Sequence, residues 1–237
     1  MSKLLFGDCL ELLPVIPDNR FDLICADMPY GTTRCKWDSV IDLEKLWPMI
    51  KRVLKPNGVI ILFAQTPFDK VLGCSNLPML RYEWIWEKTN ATGFLNAGKM
   101  PLKAHENILV FYNKLPTFNP QKSKGHKKKT ATREGVNSDI YGNGSVTTYD
   151  STERHPRDVV VFKSDKQISS IQCTQKPVAL LEYILKSYSN EGDECLDFCM
   201  GSGSLGIACE NLNRKFTGIE KDLNNFLKAK ERLANHE

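Results

Sequence analysis

Between Glu194 and Glu220 the sequence reads as a buried strand, a glycine turn, a helix and a second strand ending on an acid. The first strand runs from Glu194 to Phe198, the helix from Ser204 to Leu212, and the second strand from Lys215 to Ile219. Two short strands joined through a helix pair in parallel, because a tight turn cannot reverse the chain and keep the direction. Gly201, Gly203 and Gly206 have the spacing G-x-G-x-x-G in this unit. A residue without a Cβ lets the backbone come close to a ligand, and the following helix N-terminus offers unpaired amide donors carrying partial positive charge. Glu220, about twenty residues on, stands where nucleotide-binding sheets place the acid that receives ribose hydroxyls. This stretch predicts a parallel α/β sheet with a ligand at its carboxyl edge.

The rest of the chain supplies more of the same alternation. Leu4 to Phe6, Phe21 to Ala26, Val59 to Ala64, Tyr82 to Glu87, Asn107 to Tyr112 and Asp158 to Phe162 are short apolar or β-favouring runs. Leu43, Leu46, Trp47, Ile50 and Leu54 recur at helical spacing behind Asp42, a cap, and Pro56-Asn57-Gly58 ends that helix. Val178 to Tyr188 reads as a helix with one apolar face, and Asp222 caps a last helix through about Leu233. Strands alternating with helices predict a mostly parallel sheet covered by helices on both faces. The 237 residues suffice for one such domain with a peripheral insertion.

That insertion is visible as a change in composition. From residue 115 to about 157 the strand pattern lapses. Lys114, Lys122, Lys124, Lys127, Lys128, Lys129 and Arg133 follow one another with no acid between them. The reading is one α/β domain of residues 1–114 and 158–237 interrupted by a mobile basic segment, 115–157, and a net charge of +4 permits an acidic partner. Eight cysteines contain no C-x-x-C pair, and Cys25, Cys195 and Cys209 sit among aliphatic neighbours. Free thiols in a reducing compartment are expected, with no metal site. No apolar run approaches the ~20 residues of a membrane span, and the N-terminal apolar core is too short for a signal peptide, so a cytoplasmic protein is expected.

A second motif follows the strand Phe21 to Ala26. Asp27-Met28-Pro29-Tyr30 places an acid at a strand's carboxyl end, next to a proline with no amide hydrogen and a flat aromatic ring. A carboxylate and a nearby carbonyl can accept the hydrogens of an exocyclic amino group while an aromatic ring stacks on the base.

This motif resembles the D-P-P-Y signature of the amino DNA methyltransferases acting on adenine N6 or cytosine N4. Gly7-Asp8-Cys9-Leu10-Glu11-Leu12-Leu13, His105 to Tyr112, Cys173-Thr174-Gln175-Lys176-Pro177, Asp197 to Ser204 and Gly218 to Asp222 are similar to further segments of that family, and only the basic insertion falls outside. The order, with the catalytic motif before the glycine motif, resembles its circularly permuted β group. The resemblance implies a Rossmann-like methyltransferase sheet and S-adenosylmethionine as cofactor. It implies that Asp27, Pro29 and Tyr30 hold and stack the target base. It implies a cofactor site of Asp8, Cys9, Lys176, Asp197, Phe198, Gly201, Ser202, Gly203 and Glu220. Double-stranded DNA is the implied partner, contacted by Lys122, Lys124, Lys127, Lys128, Lys129 and Arg133. A homodimer and a cognate restriction endonuclease are partners that the family leaves open. Met28 departs from the family's first proline, and Cys173 stands where a His is common.

Methylation of cytosine at carbon 5 needs a thiolate nucleophile, usually in a Pro-Cys pair, and no cysteine here follows a proline. An acid rather than a serine at the head of the motif favours adenine over cytosine N4. An RNA or protein-glutamine methyltransferase, or a DNA-binding module with a vestigial pocket, are the remaining alternatives.

Overall fold

The computed structural model describes residues 2–31, 39–133, 146–163 and 175–236. Cys35, Cys173, Thr174 and residues 134–145 of the basic segment lie outside the described residues. Two compact units emerge, one of Met1–Asn119 with Asp158–Glu237 and a smaller one of Pro120–Arg157.

The larger unit is built on eight strands: β1 (Lys3–Phe6), β2 (Phe21–Ala26), β3 (Leu54–Ala64), β4 (Leu80–Thr92), β5 (Lys103–Phe111), β8 (Val159–Phe162), β9 (Glu194–Asp197) and β10 (Lys215–Glu220). Their spatial order is β1-β10-β9-β2-β3-β5-β4-β8. All neighbours pair in parallel except β5, which runs against both β3 and β4. The predicted, mostly parallel sheet is thus present, with one reversed strand. The reversal follows from the connection between β4 and β5, which is too short to carry the chain back across the sheet as a helical crossover does.

Alternate side chains of β2 supply the two cores. Leu23 and Cys25 join one cluster, with Leu180, Leu181, Ile184 and Leu185 of α4 (Val178–Tyr188), Leu205 and Ala208 of α5 (Ser204–Asn211), and Ala229 and Leu233 of α6 (Leu223–Ala234). Ile24 and Ala26 join the other, with Cys9 of α1 (Cys9–Leu12), Leu46, Trp47, Ile50 and Val53 of α2 (Leu43–Val53), and Phe68 and Leu72 of α3 (Phe68–Ser75). A period of two along a strand with apolar residues on both faces requires cover on both faces. At about 25 cal/mol per Å² of apolar surface, each buried Leu or Ile contributes roughly 1.5–3 kcal/mol. Asp42 caps α2 by accepting from Glu44 N and Lys45 N at 3.1 and 3.2 Å, and Asp222 caps α6 through Asn225 N at 2.9 Å. Replacing either cap by Ala is worth about 1 kcal/mol.

Several elements differ from expectation, and β4 and β5 both extend beyond the runs Tyr82 to Glu87 and Asn107 to Tyr112. β3 begins at Leu54 rather than Val59, because Leu54 pairs with Phe21 before the register shifts to Leu23 with Val59. α1 and α3 are short helices with too few periodic apolar residues to stand out in a sequence.

The last helices cross behind β9 and β10 on one face, while α2 crosses from β2 to β3 on the other. The winding therefore changes direction between β9 and β2, which pair through Leu23 with Cys195 and Ile24 with Leu196. Asp22 ties this seam by accepting from Glu194 N at 2.9 Å and from Lys55. A crevice opens at the carboxyl ends of strands where the winding reverses. β1 closes the sheet beyond β10, and Gly7 N donates to Glu220 O at 3.0 Å, so the chain's beginning lies beside its last strand.

In the smaller unit, β6 (Lys129–Arg133) and β7 (Thr147–Ser151) pair as an antiparallel ribbon. The segment read as mobile and without order therefore holds secondary structure among its described residues. Lys122 and Lys124 face Glu153 at 3.4 and 4.0 Å, and Lys128 faces Asp150 at 3.2 Å. The acids that balance these lysines, Asp150 in β7 and Glu153 just beyond it, lie twenty and more residues away. Among the described residues no helix is long and apolar enough to cross a membrane.

Candidate active site

A cavity of about 770 Å³ lies at the carboxyl ends of β1, β10, β9 and β2. The Asp27 loop and the turn after β9 both line it. These two loops are 170 residues apart in sequence, and parallel pairing of β2 with β9 brings them together.

At the glycine-turn end, backbone amides hold the acids. Asp197 ends β9 and its Oδ1 accepts from Cys199 N at 2.9 Å. Glu220 ends β10, with Oε2 accepting from Gly201 N and Oε1 from Asp222 N, both at 2.8 Å. Asp8 caps α1 through Leu10 N at 2.9 Å. Burial pushes Asp197 up to about 8 and raises Glu220, since a desolvated carboxylate disfavours its charged form. Such acids suit a cationic ligand, which would return the missing counter-charge. Gly201 sits at φ 50, a left-handed conformation that a side chain would strain. Arg232 of α6 donates to Ser202 O at 3.1 Å and Ser204 Oγ at 3.0 Å, fastening the turn.

Gly203 behaves differently from its neighbours. A Cβ there would meet Ala229 Cβ at 3.2 Å, on α6, and Gly203 is absent from the residues lining the cavity. Its φ of 74 and its close approach serve packing of the turn on the last helix. Gly206 likewise has no room for a Cβ, with Leu233 and Phe216 2.9 Å away.

At the other end, side chains do the holding. Tyr30 Oη donates to Asp27 Oδ1 at 2.5 Å, and Lys176 Nζ donates to Asp27 Oδ2. Lys176 Nζ also lies 3.2 Å from Glu106 Oε2. Glu106 Oε1 accepts from Lys88 Nζ at 2.5 Å and Gln65 Nε2 at 3.0 Å. Burial raises Asp27, an effect that Lys176 opposes. Burial also pushes Glu106 up, yet Lys176 and Lys88 together bring it below its ordinary range. Lys176 is held above its usual value by the two carboxylates despite burial. Tyr30 stacks on Phe68 with ring centroids 5.6 Å apart and planes 26° apart. The Met28 side chain is buried in the core with residues of α2 and α3.

Of the expected residues, Asp8, Cys9, Asp27, Pro29, Tyr30, Lys176, Asp197, Phe198, Gly201, Ser202 and Glu220 all line this cavity. Lys122, Lys124, Lys127, Lys128 and Lys129 are exposed in the smaller unit, and Arg133 ends β6. Lys88 and Gln65 are not among the residues the sequence singles out, and Glu106 enters only within the family-like segment His105 to Tyr112. The signal available was a lone acid, Glu106, at the head of the apolar run Asn107 to Phe111.

Residues 21–231 match a family model described as DNA methylase, covering N6 and N4 methyltransferases. The chain is similar to the type II methyltransferase M.HpaI of Haemophilus parainfluenzae, at 31% identity over 98% of this chain and 74% of that protein. It is also similar to the type II methyltransferase M1.MboII of Moraxella bovis, at 26% identity over 93% and 92% of the two chains. Among solved structures, the M1.HpyAVI–SAM complex superposes with a TM-score of 0.67 at 23% identity, covering 98% of this chain and 99% of that one. The cytosine-N4-specific PvuII DNA methyltransferase superposes with a TM-score of 0.71 at 13% identity, covering 99% and 90%. With its two motif loops meeting in one cleft and this match over most of its length, the chain belongs to the N6/N4 DNA methylase family.

Proposed function

We propose that the chain transfers a methyl group from S-adenosylmethionine to the N6 amino group of adenine in double-stranded DNA. The observation that carries this reading is the shared cleft, with Asp27 at one end and the Asp197–Glu220 glycine turn at the other. The cleft's residues fit the cofactor. Glu220 can accept ribose hydroxyls with the lone pairs that its two amide donors leave, Asp8 is a further acid at that end, and Asp197 is a buried carboxyl whose ionised form a ligand of net positive charge would stabilise. When bound, the cofactor supplies an activated methyl group on a sulfonium.

The chain's own residues then position and stabilise. Asp27 accepts a hydrogen of the amino group and orients the nitrogen lone pair, and its negative charge supports the positive charge developing on nitrogen. Pro29 fixes the loop, and Tyr30 offers ring surface to a base that has left the stack, a step costing a few kcal/mol. Adenine is favoured over cytosine N4 because an acid heads the motif. Nucleoside analysis of duplex DNA treated with enzyme and labelled cofactor tests this directly. Label in N6-methyladenine is the expected result, and label in N4-methylcytosine overturns the choice of base.

The exposed lysines of the smaller unit are the DNA-contacting surface in this reading. Replacing Lys127, Lys128 and Lys129 by Gln should flatten the salt dependence of DNA binding by up to ~0.9 per lost phosphate contact. The contribution of Lys128 is smaller because Asp150 already faces it at 3.2 Å. An unaltered slope in a binding titration would leave that surface without a role. By the names of its relatives the reading extends to a type II restriction-modification setting, with a cognate endonuclease as partner.

A further inference from the structure

We propose that Lys176 is a movable counter-ion of Asp27 and that Glu106 is the seat it takes when the target base enters. The inference rests on Asp27 being the acceptor for the target amino group. Both oxygens of that carboxylate are already engaged, Oδ1 by the Tyr30 hydroxyl and Oδ2 by the Lys176 ammonium. An incoming N–H can take a remaining lone pair, as at Glu220, but a carboxylate paired with an ammonium gives less support to positive charge on the nitrogen, so turnover gains when one donor yields. Tyr30 is held at two points, by its hydrogen bond and by stacking on Phe68. Lys176 carries three rotatable donors on a flexible four-carbon stem. The lysine is therefore the partner that moves.

Its destination is already built. Glu106 Oε2 lies 3.2 Å from Lys176 Nζ, within ion-pair distance, yet it is buried and receives no aligned hydrogen bond. Native interiors rarely leave a buried carboxylate oxygen without a donor. The other oxygen of Glu106 is fixed by Lys88 and Gln65, so the seat stays in place when the lysine swings. Lys88 and Lys176 carry two positive charges and Asp27 and Glu106 two negative ones, all with side chains shielded from solvent to differing degrees. A shift of Lys176 from Asp27 to Glu106 leaves the sum at zero. It exposes one unshared negative charge at Asp27 beside the nitrogen as that atom becomes positive, where charge stabilisation acts on the transition state. Glu106 is on this account a positioning residue: it acts on Asp27 through the lysine. Tyr30, Asp197 and Cys25 are the other titratable groups that influence Asp27 or line its end of the cleft.

The test uses Glu106→Gln, Glu106→Asp and Asp27→Asn in the full chain. Turnover on duplex DNA is measured against pH, and S-adenosylmethionine affinity by calorimetry. Glu106→Gln should lower kcat about 10²-fold, the scale of a misplaced reacting group, with cofactor affinity within about threefold of the parent. Its acid limb should move to lower pH, because Asp27 loses a neighbouring negative charge that raises its pKa. Glu106→Asp should regain part of the loss. Adding Lys176→Met to Glu106→Gln should raise turnover at high pH above that of Glu106→Gln alone, because the trapped lysine is gone. A parent-like kcat and pH profile in Glu106→Gln overturns the inference, as does a cofactor affinity that falls in step with kcat. If Glu106→Gln does not fold, Glu106→Asp decides by the same split between kcat and cofactor affinity. An active Asp27→Asn overturns the reading of Asp27 itself, whereas an inactive one beside an unaffected Glu106→Gln overturns this inference alone.

Discussion

The two ends of the cleft hold their carboxylates in different ways. Asp8, Asp197 and Glu220 accept from backbone amides within two residues or across one strand pair. Asp27 accepts from two side chains, one of them 149 residues away. Amide-held acids are fixed once the strands and turns form. An acid held by a lysine and a tyrosine can exchange its partners while the backbone stays still. The contrast suits the two tasks: one end binds the same small molecule at every turnover and releases its demethylated form, and the other must admit and release a base.

The largest expected effect breaks this contrast at the exchangeable end. Asp27→Asn keeps the size of the side chain and removes the charge. Methyl transfer should fall by roughly 10²–10³-fold or more, the range seen when one transition-state hydrogen-bonding group is lost. Cofactor affinity should change far less, because Asp27 makes no hydrogen bond to the cofactor acids and reaches Asp197 only through its charge. A parallel loss of both would mean that the ends are mechanically linked. The next effect belongs to the amide-held end. Glu220→Gln leaves one oxygen to serve two amides and replaces a charged acceptor by a neutral one. Hydrogen bonds to charged groups are worth about 1.5–3 kcal/mol, so cofactor affinity should weaken roughly 10–100-fold. Turnover at saturating cofactor should change much less than in Asp27→Asn, a split that steady-state kinetics reads directly.

The same contrast decides what the sequence made legible. Glu220, Asp197 and the capping acids Asp42 and Asp222 occupy positions that local pattern defines: a strand's last residue, or the residue before a helix. The helices α4 and α6 and the strands β2, β9 and β10 follow from periodicity for the same reason. The partnership of Asp27 with Lys176 and of Glu106 with Lys88 depends on which strands lie side by side, and no window of sequence contains it. The resemblance implies Lys176 as a cofactor residue; it lines the cleft, and its reach to Asp27 is a pairing that no local pattern announces. The resemblance implies Gly203 as a cofactor residue, and spacing does not say which way its missing Cβ would point; that direction faces Ala229. In the basic segment the lysines were legible and their partners Glu153 and Asp150 were not, because β7 brings them back from farther along the chain.

The smallest effect tests whether amide anchoring also means a fixed charge. Burial pushes Asp197 up to about 8, far above its usual carboxylate value of 3.8. The folded chain therefore keeps a proton that the unfolded chain releases near pH 4. Between those limits the folded form binds more protons, so this group's contribution to stability is present below about pH 4 and is lost as pH rises through about 8. Asp197→Asn keeps an acceptor for Cys199 N and removes the titration. Its melting temperature, measured without cofactor, should fall less between pH 5 and pH 9 than that of the parent. Even ~1 kcal/mol of difference moves the midpoint by roughly 2–4 °C in a chain of this size. A bound cation stabilises the ionised form, so parent cofactor affinity should rise with pH across the same window while the Asn variant stays flat. Parallel melting curves for the two proteins at every pH would mean that Asp197 is ionised throughout and that the hydrogen bond from Cys199 N, not protonation, accommodates its charge in the cofactor-free cleft.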